Sequence, residues 1–274
     1  MAKYKYLFIT HELSPFLELT NIAKETSLMT KLMQDNHCEV RVLMPRFGVV
    51  NERRHRLHEV IRLSGSTINV DGSEHLMIIK VASLPAIKMQ VYFIDNEDYF
   101  HRKQVFRDGK KKFFTDNDER LIFFCKGAID MIKQVGWIPD VIHCHGWFSS
   151  LIPAYINHLR NKVDSPFVKS KLVYSAYPGE FAETLGNNFI DKIAIDGIDK
   201  NDLKEYKDAD SDALQIGAAT NSDGIIIAGD ISDKVEKSID PNKPAIKYNT
   251  INNDPNDLLV FYQNFLDKKL LKAI

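Results

Sequence analysis

The chain has 274 residues, 44% hydrophobic and 27% charged, a composition that supports a substantial core and suits one large domain or two small ones. Lysine and arginine number 36 against 37 aspartates and glutamates, a net charge of −1, which excludes bulk electrostatic attraction to nucleic acid or anionic lipid as the basis of function. Cys38, Cys125 and Cys144 fit neither a disulfide framework nor a zinc pattern, and His11 and Glu12 cut the first apolar run far short of a signal peptide.

The elements follow in chain order. Residues 5–10 form an apolar strand. Residues 22–33 place Ile22, Thr26, Met29 and Met33 on one helical face, with Leu28 and Leu32 beside it, and residues 39–44 form a second strand ended by Pro45. That β-α-β order predicts parallel strands joined by a right-handed crossover. Residues 58–70 and 74–82 flank Asp71-Gly72, a hairpin signal. Residues 89–95 are a strand, and residues 96–116, with the basic run Lys110 to Lys112, are an extended solvated loop. Residues 118–135 form a strong helix with Asn117 or Asp118 as cap and Gly136 as stop. Strands over 139–144, 171–176 and 223–228 follow, with a helix over 148–159 after the first of them. Residues 181–215 read as short helices and loops, and residues 238–256 as a loop. A final amphipathic helix over about 256–272 packs back on the domain. The whole predicts one α/β domain over residues 1–274: a doubly wound, mostly parallel Rossmann-like sheet with an inserted β-hairpin.

Ligands in doubly wound sheets bind outside the carboxyl ends of the strands, so those ends hold the candidate residues. The turn after the first strand carries His11, Glu12, Ser14, Glu18, Thr20 and Asn21. Its helix start offers N–H groups to an anion in principle. Thr20 or Asn21 as an ordinary helix cap is the plainer account. His143 and His145 share one face of a strand. No further Cys, His or Asp completes a metal-ligand spacing, so His143 is expected in the core and His145, before Gly146, at the site. Tyr177, before Pro178-Gly179, could stack on a sugar or base or cover the core edge. Walker, GxGxxG and GxSxG patterns are absent.

Taken in order, "ELSPF", "HCEVRVLMPRFG", "VYFIDNEDYFHR", "DNDERLIFFCKGAIDMI" and "WIPDVIHCHGWFSSLIPAYI" resemble the amino-terminal catalytic domain of bacterial glycogen synthases and plant starch synthases. The resemblance spans roughly residues 4 to 235 and is densest between 88 and 157. It implies the amino-terminal half of a GT-B glycosyltransferase, an architecture of two Rossmann-like domains with the active site between them. The family's reaction moves glucose from ADP-glucose to the end of an α-1,4-glucan. Position by position in the family motifs, the candidate binding residues are Glu18, Thr20, Asn21, His145, Trp147 and Tyr177. The family's Lys-Thr-Gly-Gly-Leu-Gly-Asp turn reads Glu18-Leu19-Thr20-Asn21-Ile22-Ala23-Lys24 here. A glutamate thus stands where the family lysine meets the sugar-nucleotide phosphates. The family's His-Asp-Trp reads His145-Gly146-Trp147, and its Thr-Ile-His-Asn reads Ser175-Ala176-Tyr177-Pro178.

These departures imply no catalytic residue, metal or cofactor in this chain, and a second GT-B domain is expected to be absent. The leading expectation is a cytoplasmic relative without independent transferase activity that binds α-glucan or a protein of glycogen metabolism, with nucleotide-sugar as the competing ligand. The first alternative is a glucosyltransferase subunit completed by a separate second domain. The second is a ligand-free structural or regulatory module.

Overall fold

In the computed structural model, which describes residues 4–84, 89–179, 181–250 and 252–266, the first three elements form the expected unit. β1 (Lys5–Ile9) and β2 (Glu39–Pro45) run parallel, with Tyr6 opposite Val40 and Ile9 opposite Leu43, joined by α1 (Ile22–Asp35). α1 buries Ile22, Thr26, Met29 and Met33 against the sheet, while Leu28 stays 46% exposed.

After α2 (Glu52–His55), the expected hairpin divides into more pieces than periodicity predicts. β3 (His58–Glu59) is followed by β4 (Thr67–Val70), β5 (Ser73–Leu76) and β6 (Ile78–Leu84). Asp71 and Gly72 make the turn between β4 and β5, both with positive φ, 48° and 82°, as a tight hairpin turn requires. The strands break on either side of it because Gly65 and Met77 exchange hydrogen bonds around Ser66: Gly65 N–H donates to Met77 O, and Met77 N–H to Ser66 O. That releases β6 to pair antiparallel with β7 (Met89–Asp95) in the main sheet, with β3 beyond it.

The second half supplies α3 (Glu97–Phe100), α4 (Asn117–Val135), β8 (Val141–His145), α5 (Leu151–Arg160), β9 (Lys171–Ala176), α6 (Phe189–Ile193), α7 (Ser211–Thr220), β10 (Gly224–Ile227), α8 (Asp233–Ser238), β11 (Ala245–Lys247) and α9 (Pro255–Gln263). The main sheet has nine strands in the order β11-β10-β9-β8-β1-β2-β7-β6-β3, parallel from β11 to β7. Its central strands are buried nearly throughout, which explains their continuous apolar runs.

Three further details depart from expectation. The cap of α4 is Asp116 rather than Asn117 or Asp118, and its carboxylate is held by Arg102 instead of by the helix N–H groups. The Asn117 side chain bridges Phe106 O and Arg120. The 238–256 stretch contains β11, an edge strand too short to show a period. The final helix ends at Gln263, and positions 267–272 of the expectation lie outside the described residues. Tyr262 of α9 packs edge-on to Tyr6, 5.2 Å between ring centroids, and shares a 2.6 Å hydrogen bond with His143 Nδ1.

Candidate functional site

The chain leaves β1 toward β2 and β7 on one side of the sheet and returns through β8, β9, β10 and β11 on the other. The strand order therefore reverses between β1 and β8, and a crevice opens at their carboxyl ends. A cavity of about 250 Å³ occupies this place. The loop after β1 gives it Thr20 and Asn21, the ends of β8 and β9 give Trp147 and Tyr177, and the loop after α3 gives Phe106. His11 and Glu25 complete its polar lining on the β1–α1 side. No lysine or arginine lines it among the described residues.

The first turn is organised by Glu12. Its buried carboxylate accepts the backbone N–H groups of Leu19 and Thr20, the latter at 2.8 Å, and also the Thr20 hydroxyl. Successive amides aimed at one point form an anion-binding concavity, and here the chain's own carboxylate fills it. Thr20 Oγ1 also accepts Ile22 N–H at 3.1 Å, so Thr20 does the capping, while the Asn21 side chain makes no cap bond. Glu18 is exposed and accepts the Ser14 hydroxyl at 2.6 Å.

Beneath the cavity floor lies a column of imidazoles. His143 and His145, on one face of β8 by their i, i+2 spacing, lie with ring centroids 3.9 Å apart and planes tilted by 36°. His143 is bonded on both nitrogens, to Ser175 Oγ at 2.8 Å and to Tyr262. His145 Nδ1 pairs with the Tyr177 hydroxyl at 2.8 Å, and Tyr177 N–H donates to Gln215 Oε1. Burial pushes the His145 imidazole down to about 3, with the neighbouring His11 adding to the shift, and holds His143 well below its ordinary value. Burial also lowers His11, against the opposing pull of Glu12. All three rings are neutral at pH 7.

Of the six residues named from sequence, Thr20, Asn21, Trp147 and Tyr177 come together around the cavity. Glu18 points to Ser14 on the outer side of the turn, and His145 lies under Tyr177 rather than in the wall. Several wall residues went unnamed or unused, Phe106, His11, Glu25 and Asn249 among them. Phe106 comes from a loop with no strand end to mark it. His11 sits at the end of β1, among the turn residues but without a role given to it. Glu25 had a legible signal: it falls on the buried face of α1, one turn after Ile22. Beside the cavity, Phe106 and Trp147 also wall an open trough of about 580 Å³ that continues over Phe113 and Phe181. Trp147 lies 4.8 Å from both Phe106 and Phe181, centroid to centroid.

Comparison with known proteins agrees with this geometry. The glycogen synthase of Chlorobium limicola is 37% identical over 154 residues, covering 55% of this chain and 31% of the relative. That of Chlorobaculum parvum is 32% identical over 205 residues, covering 72% and 41%. The chain thus spans well under half the length of these curated relatives. Among solved structures, the catalytic domain of starch synthase IV from Arabidopsis thaliana, bound to ADP and acarbose, superimposes with a TM-score of 0.66 at 17% identity, covering 83% of this chain and 45% of that one. The fold is therefore that of the amino-terminal half of a GT-B enzyme. The family model for the starch synthase catalytic domain matches residues 5–228, and the chain belongs to that family.

Proposed function

We propose that this domain binds an α-glucan chain at the carboxyl edge of its sheet and does not, by itself, hold the diphosphate of a nucleotide sugar or transfer glucose from it. One observation carries the reading: the cavity at the switch point is walled by aromatic rings and the Glu25 carboxylate, with no lysine or arginine among the described residues, and the loop amides that could meet a phosphate are taken by Glu12. Of the two ligands in the Arabidopsis structure, ADP carries a diphosphate. A phosphate charge about 6 Å from Glu25 would meet a repulsion of about 3 kcal/mol at an effective dielectric of 20. Glycosyl transfer also needs positive charge or N–H dipoles on the departing diphosphate, and removing one such donor slows comparable reactions by about 100- to 1,000-fold.

A neutral saccharide avoids that repulsion. Pyranose rings have apolar C–H faces and a rim of hydroxyls, which suits a site of aromatic walls with a few fixed polar groups. The trough over Phe113 and Phe181, which Arg107, Asp108 and Lys111 also line, extends the ring surface outward from the cavity, as a glucan chain would use it. Calorimetric titration with maltohexaose and with ADP-glucose tests the reading. Heat of binding is expected from the first and none from the second. Tight binding of ADP-glucose, or measurable glucose transfer to glycogen by the purified chain, would overturn it.

A further inference from the structure

Two acceptors in the cavity wall lack donors. Glu25 is 2% exposed; its Oε2 accepts Thr250 N–H at 2.9 Å, while its Oε1 is buried with no hydrogen-bond partner among the described residues. His11 is also 2% exposed. Its Nε2 faces the Glu12 carboxylate at 3.6 Å, which favours the proton on Nε2, and leaves Nδ1 as a buried lone pair, again without a partner among the described residues. Buried polar groups are normally paired, so each unmatched one calls for an explanation. Both belong to residues that line one cavity, and both lack the same thing, a proton donor.

That shared lack narrows the ligand. A phosphate brings only acceptors and satisfies neither group. A purely apolar ligand would leave both unmatched. A sugar ring brings several hydroxyl donors around an apolar face that can lie against Phe106, Trp147 and Tyr177. We infer that Glu25 and His11 are the specificity-determining residues of this cavity, Glu25 Oε1 and His11 Nδ1 each accepting a hydroxyl proton from the glucosyl unit seated there. This rests on the saccharide reading above and adds which groups read the ring. The terminal torsion of a glutamate is broad, so a modest rotation, which moves both oxygens together, brings Oε1 toward the cavity at the expense of a longer Oε2 bond to the Thr250 amide. That amide bond also limits the freedom of the carboxylate before ligand arrives, which lowers the entropy cost of binding.

The test uses the whole chain, maltohexaose, and maltosides lacking one hydroxyl at a time, followed by calorimetry. Glu25→Gln keeps a carbonyl for Thr250 N–H, and thermal melting checks that the variant is folded. His11→Phe keeps the ring packing and removes the acceptor. A hydrogen bond to a charged acceptor implies a loss of about 10- to 100-fold in maltohexaose affinity for Glu25→Gln, and a smaller loss for His11→Phe. One deoxy position should reproduce the Glu25→Gln loss in the unmodified protein and cost nothing further in the variant, the coupling expected of groups in contact. A second position should do so with His11→Phe. If maltohexaose binds and both variants bind it equally well, the assignment of these two acceptors is wrong while the saccharide reading stands. If maltohexaose does not bind the unmodified chain, both fall. If a glucosamine hexamer binds more tightly than maltohexaose and Glu25→Gln erases the difference, the carboxylate reads an ammonium, and the assignment to hydroxyls is overturned.

Discussion

Acidification provides a direct measure of the imidazole column under the cavity. In the unfolded chain His143 and His145 each titrate near 6.5. In the fold, burial holds His145 at about 3 and His143 well below its ordinary value; the facing His11 and His145 imidazoles respectively add to these shifts. The unfolded state therefore binds more protons between these values, and stability must rise with pH there. It is complete above the unfolded value and is lost as pH falls below about 6.5. At pH 5 an unfolded imidazole is almost fully protonated while one held at about 3 is not, a loss of about 2 kcal/mol for His145 relative to pH 7.5, with His143 adding in the same direction. Both rings are fully buried, so solvent screening takes little from this figure. Carboxylates with lowered values, such as Glu52 and Asp116 beside their lysine and arginine partners, lose their contribution only at lower pH. The window from 7.5 to 5 thus belongs to histidine. Urea unfolding at several pH values in that window reads the effect directly. Replacing both rings, His143→Asn with His145→Asn, should remove most of the slope whatever it does to the absolute stability, leaving a remainder from His11 and His55, which burial also lowers. A pH-independent midpoint in the unmodified protein, or an undiminished slope in the double variant, would refute the reasoning.

Three other substitutions probe the frame around the site. Arg120 is fully buried and donates to Tyr99 O at 2.8 Å, Val105 O at 2.7 Å and Asn117 Oδ1 at 2.5 Å; Arg120→Met strands three acceptors and should cost about 3 kcal/mol or more in chemical denaturation. Because Val105 precedes Phe106, the same variant should also weaken maltohexaose binding in calorimetry. Gly217→Ala would drive a methyl group into the ring of Tyr206, an overpacking cost of about 1–3 kcal/mol, visible as a lowered melting temperature. Glu12→Ala frees the amides of Leu19 and Thr20 and should lose about 2 kcal/mol. Inorganic phosphate should raise the melting temperature of that variant and leave the unmodified protein unchanged. No response in either would show that the loop amides do not form an anion site once emptied.

The parallel sheet was legible because β1, β8, β9 and β10 are buried runs bounded by polar turns, and the β-α-β order fixes their handedness. The hairpin region was less so. Whether residues 58–84 form two strands or four depends on the exchange between Gly65 and Met77 across the chain, which leaves no trace in local periodicity. The same division holds for the site. Thr20, Asn21, Trp147 and Tyr177 could be named because they follow strand ends. Phe106 could not, since its loop is drawn inward by Arg120, fourteen positions later on a helix, through a carbonyl that every residue type possesses. Glu25 was within reach: a carboxylate on the apolar face that also carries Ile22, Met29 and Met33 is out of place unless something pairs with it.

The carboxylates of the β1–α1 segment also explain how the turn can hold its shape without glycines. A loop built to take a phosphate leaves amides unsatisfied until the ligand arrives. Here Glu12 satisfies Leu19 and Thr20 from within, and Thr20 in turn caps Ile22. Side chains at Thr20, Asn21 and Ala23 fit the proposal that no phosphate has to approach the backbone here. Order in the loop then comes from folding alone, and a ligand entering the cavity does not have to organise it. What such a loop presents to the cavity is Thr20 and Asn21, with Glu25 behind them and aromatic rings opposite. If the proposed reading holds, an anion meets repulsion from Glu25 there, whereas a neutral ring rich in hydroxyls meets acceptors. On the proposed reading, the Rossmann-like frame and saccharide binding are separable from the handling of diphosphate: the first depends on the sheet and the rings at its edge, the second on a few amides and cations in a single turn.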